Sequence, residues 1–223
     1  ELIRGPDILM LGNLLHELGH YRLHVNGIIG SFVGVSIRGK VDEKIKYKIK
    51  THTLRLLLAL GEFINERMIV ELLRGMPQYL RDSYEFLMET DIYDLIIKDV
   101  TRLAICAKGY GFFYLAISSL ILEEIYRRYF ASINDRLVVS NIGKALANIE
   151  NGCRLVGLYE EYMGAKHRIS NIIKQLPSAE SLTSRHVERV LKDLLEILLK
   201  EAIIEKVFHA GYGKYIVYLL MRH

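Results

Sequence analysis

The amino-acid sequence predicts a mainly helical α+β fold with a small β-hairpin or sheet. Apolar residues recur at helical spacing through most of the chain after Thr53. An earlier stretch is rich in β-branched residues, and near the C-terminus a helical pattern precedes two strand-like runs. With 223 residues, 51% of them apolar, the chain can bury a core as one large or two small domains. A turn at Asn134-Asp135 divides it into predicted domains of residues 1–133 and 134–223.

The first predicted helix begins near Asp7 and ends near His24. Pro6 suits the first turn of a helix, and apolar residues follow it at helical spacing. Asn26-Gly27 is a turn signal, so the helix is expected to stop there.

A lysine-rich β-hairpin is predicted next. The run GIIGSFVGVSIRG, residues 27–39, has the β-branched residues and partial alternation of a strand. The run EKIKYKIKT, residues 43–51, alternates apolar residues with lysine, which predicts a strand with one packed and one solvated face. The two strands would be joined between Gly39 and Asp42.

Helices are predicted from Thr53 to about Phe130, with a stop at Gly75 and Pro77. Residues 103–122 have the length and apolarity of a membrane-spanning helix. Lys108, Gly109 and Gly111 interrupt this stretch, which favours a buried core helix starting near Tyr110. We therefore expect a soluble protein that does not bind a membrane.

Charge and cysteine content exclude little but favour the cytoplasm. The formal net charge of +4 permits an acidic partner without requiring one. Cys106 and Cys153 are far apart in sequence and form no CxxC pair. This argues against a disulfide framework or a cysteine zinc cluster and fits a reducing compartment.

The segment HELGH, residues 16–20, has the spacing of a metal site on the first helix. His16 and His20 lie one turn apart on the same helical face, as two ligands of a single zinc ion require. Glu17 lies beside the metal, where its carboxylate can accept a proton from the water that the metal activates. Gly19 weakens the helix, which favours a functional reason for the segment. His24 is one turn further along and is expected to pack or hydrogen-bond rather than bind the metal.

A third protein ligand is expected in GEFINERMIVELL, residues 61–73. Glu62 and Glu66 are one turn apart and face the same side of this helix. Either could bind the metal while the other orients a histidine, and Glu71 is a less favoured substitute. The alternative is that both are solvated surface acids, although the surrounding segment is very apolar.

HELGHYRLH, residues 16–24, resembles the HELGHxxLH segment of the ImmA/IrrE-type zinc peptidases, which are gluzincins. The later glutamate helix with its ELL run is similar to their third-ligand helix. The resemblance implies a zincin-like metallopeptidase domain that cleaves a regulator protein in the cytoplasm. It also implies His16, His20 and Glu62 as zinc ligands and Glu17 as general base. The lysine-rich hairpin and the residues after the third ligand depart from the family pattern, so Glu66 stays open as the ligand.

The C-terminal part carries the excess positive charge and resembles a winged helix. Residues 166–223 hold ten Lys/Arg against six Asp/Glu. Thr183-Ser184 offers N-caps to a helix through about Glu201, and IIEKVF and KYIVYLL predict two strands. The leucines of this helix are expected in a core or a dimer contact. In a winged helix, the groove-facing and wing candidates for DNA contact would be Arg185, His186, Arg189, Lys192 and residues 209–214, including Lys214.

The function expected from the sequence is that of a zinc-dependent peptidase with Zn²⁺ as cofactor and a peptide or protein as substrate. The alternative is a non-catalytic zinc-containing regulator or interaction protein that acts through its C-terminal winged helix. The sequence leaves open whether that part binds DNA, another protein, or a second copy of the chain in a homodimer.

Overall fold

A computed structural model describes residues 5–29, 34–199, 202–211 and 213–221. These residues are mainly helical with a small sheet, which confirms the predicted α+β class. Residues Ile121–Arg127 form a π-helical stretch. The helices are α1 Gly5–Val25, α2 Glu43–Leu73, α3 Gln78–Ile97, α4 Val100–Ala107, α5 Gly111–Ser132, α6 Arg136–Leu155, α7 Tyr159–Ile173 and α8 Ser184–Leu198, and the strands are β1 Gly34–Arg38, β2 Ala202–His209 and β3 Lys214–Met221.

Helix α1 confirms the prediction of a helix from Asp7 to His24 and extends it slightly, from Gly5 to Val25. Gly27 follows with a φ of 65°, a left-handed conformation that suits glycine. The amide of Ile28 then donates to the carbonyl of Leu23 at 2.9 Å, which closes the helix end.

The predicted lysine-rich hairpin is wrong, because residues 43–51 form the first turns of α2. Asp42 starts this helix: its Oδ1 accepts a hydrogen bond from the Lys44 amide at 2.8 Å, as a capping side chain does. Ile45 and Ile49 are one helical turn apart, so the alternation is also compatible with a helix. Ile49 is buried, whereas Tyr47 between them is 74% exposed. Of the first predicted strand, residues 34–38 form β1, and residues 30–33 lie outside the described residues.

The described chain divides into two compact units. One consists of the described residues up to Gly19 together with residues 65–167, and it is helical. Its core includes Tyr84, Phe113 and Phe130, all at most 1% exposed. The other consists of residues 20–64 and the described residues from Arg168 onwards, and it holds the sheet. The predicted domain boundary after residue 133 falls inside the first unit.

The sheet has the strand order β1-β3-β2 within the described part of the chain. Strand β3 is parallel to β1 and antiparallel to β2. The predicted order of one helix and two strands near the C-terminus is therefore confirmed, and Thr183 caps α8 as expected. The third strand, however, comes from residues 34–38, far outside the predicted C-terminal domain. The leucines expected in a core or dimer contact are buried within the chain: Leu191, Leu194, Leu195, Leu198 and Leu199.

The apolar stretch of residues 103–122 is broken where the glycines predicted a break. Helix α5 begins at Gly111, and Phe113 and Ile117 on it are buried, which confirms the predicted core helix. A Cβ at Gly111 would lie 1.7 Å from the Cys106 carbonyl oxygen, so only glycine fits this turn. No single described helix is long and apolar enough to cross a membrane; α4 and α5 qualify only as a pair, with a bend of 117° between them.

Candidate metal centre

Helix α1 presents the HELGH segment with its two histidines partly accessible. The side chains of His16 and His20 are 22% and 26% exposed. Glu17, which follows His16 directly, is exposed. The segment therefore lies at the protein surface, where a bound metal and its neighbouring carboxylate could be reached from solvent.

His16, His20 and Glu62 form a group that could hold a metal ion, because one potential ligand atom of each lies within 4.8 Å of the others. The His20 Nε2 and Glu62 Oε1 atoms are 3.3 Å apart. Two ligands of a tetrahedral zinc with bonds of about 2.0–2.1 Å are separated by roughly 3.3–3.4 Å. This pair thus already has the spacing of two zinc ligands, and two imidazoles with one carboxylate are a donor set that zinc accepts.

Glu66 lies behind the histidines and is held by three hydrogen-bond donors. Its side chain is only 6% exposed. The Oε1 atom is 2.9 Å from His16 Nδ1 and accepts a hydrogen bond from the Tyr84 hydroxyl at 3.0 Å, while Oε2 accepts one from Tyr126 at 2.7 Å. Since a carboxylate is an acceptor, Nδ1 of His16 carries the hydrogen. This leaves Nε2 as the nitrogen suited to a metal, which is how carboxylates commonly orient histidine ligands.

The two tyrosines that hold Glu66 come from distant helices. Tyr84 belongs to α3, and Tyr126 lies in the π-helical stretch of α5, a local geometry that is frequent at functional sites. Both are buried. Burial, followed by the negative charge of Glu66, raises the pKa of Tyr126 well above its ordinary value of 10.0. Its phenol therefore stays protonated and remains a donor to the carboxylate.

Asn65 and Gly19 allow α1 and α2 to approach closely beside the site. The Asn65 Nδ2 atom donates to the backbone carbonyl of His16 at 3.2 Å. A Cβ added to Gly19 would lie 2.0 Å from Asn65 Oδ1 and 2.8 Å from the Cδ1 of Ile69. Gly19 thus has a packing reason in addition to the functional one inferred from the sequence: a side chain there would force the helices apart.

The structure separates the three glutamates considered as ligands. Glu62 belongs to the group with the two histidines, whereas Glu66 binds His16 Nδ1 from behind. Glu71 instead forms an ion pair with Arg67 at 3.2 Å, one turn away on α2. His24 is not a member of the described group.

The candidates for DNA contact lie on α8 and β3. Arg185 and Arg189 are exposed on α8. Lys192 faces Glu196 at 3.6 Å, and Nδ1 of His186 accepts a hydrogen bond from the Thr183 amide in the helix cap. Lys214, at the start of β3, is exposed, and Tyr212 of the predicted wing lies outside the described residues.

Sequence reasoning missed Asn65, Tyr84 and Tyr126. Asn65 directly precedes Glu66, so its position beside a candidate ligand was a usable signal. The tyrosines lie 18 and 60 residues beyond Glu66 in the chain, and no local pattern marks them as its partners. Only the packing of α2, α3 and α5 brings them together.

Comparisons with protein-family models, with curated proteins and with solved structures found no match for this chain. The chemistry of the site itself is therefore the basis for a functional inference.

Proposed function

We propose that this protein is a zinc-dependent peptidase in which His16, His20 and Glu62 bind the metal and Glu17 is the general base. The supporting observation is the convergence of two imidazoles and one carboxylate within 4.8 Å, next to Glu17 in sequence. Three protein ligands leave one position of a tetrahedral site for water, which distinguishes catalytic from structural zinc sites.

The chain's own residues divide the chemistry between them. A zinc ion bound here would supply Lewis-acid chemistry, lowering the pKa of a water and polarising the scissile carbonyl. Glu17 takes the proton from the attacking water and returns it to the leaving amine. Its exposed position allows a peptide to approach it.

Glu66 is a positioning residue in this proposal. By holding His16 Nδ1 at 2.9 Å, it fixes both the tautomer and the ring orientation of that imidazole. The Tyr84 and Tyr126 hydroxyls in turn fix the carboxylate. The ring is therefore oriented before the metal arrives, which reduces the entropy lost on binding.

The decisive experiment replaces Glu17 by glutamine. Zinc-loaded wild-type protein and Glu17→Gln are incubated with a mixed peptide library, and new termini are identified by mass spectrometry. We expect cleavage by the wild type and none by Glu17→Gln, with equal zinc content in both. Asp7→Asn, a change at another exposed acid on α1, is the matched control and should cleave like the wild type. Turnover by Glu17→Gln at the wild-type rate would refute the proposal.

Metal analysis separates the peptidase from the alternative of a non-catalytic zinc regulator. Under both, the protein should bind about one zinc ion, and the double substitution His16→Ala and His20→Ala should abolish binding. Zinc retained at full stoichiometry by the double variant would exclude this site altogether. Zinc binding by a wild type that cleaves no peptide would favour the regulator.

A further inference from the structure

The sheet of the second unit has one buried and one open face. Val35, Val207, Tyr215 and Val217 point to the buried side, on which α8 packs against β2. Residues that are neighbours across strands project from the same face of a sheet. On the open face they form two rows across β1, β3 and β2: Arg38, Tyr218 and Lys206, and next to it Ser36, Ile216 and Phe208.

Aromatic rings are accessible on this open face. Phe208 is 41% exposed, and Tyr218 is partly exposed. Together with Glu205 and Lys206 they line a hollow of about 360 Å³. This volume falls within the roughly 300–1,000 Å³ of small-ligand sites. The Lys206 Nζ lies 5.3 Å from the centre of the Phe208 ring, so a cation already faces that ring.

The same face also carries positive charge. Arg38, Lys206 and Lys214 are all exposed, and Lys214 precedes Ile216 by two residues, which places it on the same side of β3. Glu205, at the irregularity between Ile204 and Lys206, is the acid that lines the hollow. Three cations beside two aromatic rings are complementary to an anionic chain that carries flat rings.

We propose that the open sheet face, defined by Arg38, Lys206, Phe208, Lys214 and Tyr218, binds single-stranded nucleic acid. Unpaired bases stack on Phe208 and Tyr218, and the cations contact the phosphates. Stacking of this kind requires unpaired bases, because paired bases are stacked on each other. Duplex DNA fits poorly, since its major groove admits a helix or a two-stranded ribbon, and the described residues of this sheet already form three strands.

This surface differs from the helix that the sequence suggested for DNA contact. Arg185 and Arg189 lie on α8, which packs against the sheet from its buried side. Binding through α8 would favour duplex DNA and depend on Arg185 and Arg189, whereas binding through the open sheet face would favour single strands and depend on its own residues. The proposal also does not depend on the metal, so neither a chelator nor Glu17→Gln should change the binding of a single strand.

The test measures fluorescence anisotropy of labelled oligothymidine, oligouridine and a duplex of equal length, titrated with the full chain at several salt concentrations. We expect single strands to bind more tightly than the duplex. Phe208→Ala and Tyr218→Ala should each weaken binding roughly 5- to 150-fold, the range for losing one stacked base. Tyr218→Phe keeps the ring and should bind like the wild type. Lys206→Glu should also weaken binding. The slope of log affinity against log salt concentration should become shallower by about 0.7 for each lost phosphate contact.

Matched variants distinguish this face from the other basic surfaces of the chain. Lys50→Glu makes the same charge change at an exposed lysine of α2 and should weaken binding much less than Lys206→Glu does. Circular dichroism checks that the exposed-face variants are folded. Loss of binding on replacing Arg185 and Arg189, with Phe208→Ala silent, would overturn the proposal in favour of α8. Absence of binding at low salt would also overturn it, as would self-association through this face that Phe208→Asp abolishes.

Discussion

Glu62 and Glu66 are the same residue type one turn apart on α2, yet their surroundings are opposite. The side chain of Glu66 is 6% exposed and accepts hydrogen bonds from two tyrosines and a histidine. The side chain of Glu62 is 46% exposed and faces His20 Nε2 at 3.3 Å. A carboxylate fixed by three donors is suited to orienting another group, whereas an exposed one can adjust to a metal. The environments of the two side chains, rather than residue type or spacing, are therefore the basis for the different roles that we propose for them.

The largest expected effect is the loss of stability in Glu66→Ala. Removing the carboxylate takes away the Glu66 acceptor of the buried Tyr84 and Tyr126 hydroxyls and of the partly exposed His16 ring. At about 1–3 kcal/mol for each of the two buried hydroxyl groups, the free energy of unfolding should fall by about 2–6 kcal/mol. Urea denaturation of the metal-free protein measures this loss. Glu62→Ala is the matched control and should change stability by less than about 1 kcal/mol, as surface substitutions usually do. Equal losses in both variants would remove the distinction.

Metal affinity should show the reverse order. Glu62→Ala removes a direct ligand in the proposed site, and we expect zinc affinity to fall at least about 100-fold. Glu66→Gln retains the side-chain volume and one acceptor. It should lower zinc affinity by about 10-fold, because it weakens only the hydrogen bond that orients His16. Competition with a zinc-binding dye measures both. A greater loss in Glu66→Gln than in Glu62→Ala would assign Glu66 as the ligand instead.

A third test concerns the close approach of α1 and α2. Gly19→Ala would place a methyl group 2.0 Å from Asn65 Oδ1, so we expect destabilisation by about 1–3 kcal/mol from overpacking. Gly61→Ala is a control on α2, because the nearest neighbour of its Cβ would be Ile29 at 3.6 Å. That substitution should be neutral or stabilise by up to about 1 kcal/mol through helix propensity. Thermal denaturation of both variants decides whether Gly19 is needed for packing.

The smallest effect is expected from Tyr126→Phe. It removes one 2.7 Å hydrogen bond to Glu66 and keeps the ring, so stability should fall by about 1 kcal/mol. Zinc affinity should fall less than in Glu66→Gln, because Tyr84 still holds the carboxylate. Combining Tyr84→Phe with Tyr126→Phe should lower affinity further than either change alone. If the double variant binds zinc like the wild type, the tyrosines contribute to stability only.

Several local features of this protein could be predicted from its sequence. Residues 16–20 were enough to place His16 and His20 on one face of a helix, because helical geometry depends only on spacing. The Thr183 cap, the break before Gly111 and the two C-terminal strands also follow from local chemistry and were predicted. The wrong prediction at residues 43–51 also comes from local spacing. Apolar residues that recur every two positions also recur every four, so they can lie on one face of a helix.

Contacts between distant segments could not be predicted from residue spacing. Glu62 and Glu66 are equivalent in a sequence, and only the burial of one against Tyr84 and Tyr126 distinguishes them. Those tyrosines lie on other helices, so their hydrogen bonds depend on how α2, α3 and α5 pack. The pairing of β1 with β3 is likewise a contact between residues far apart in the chain, Val35 with Tyr215 for example. Such contacts arise from the burial of apolar surface shared by distant segments, and no local pattern encodes which segments meet.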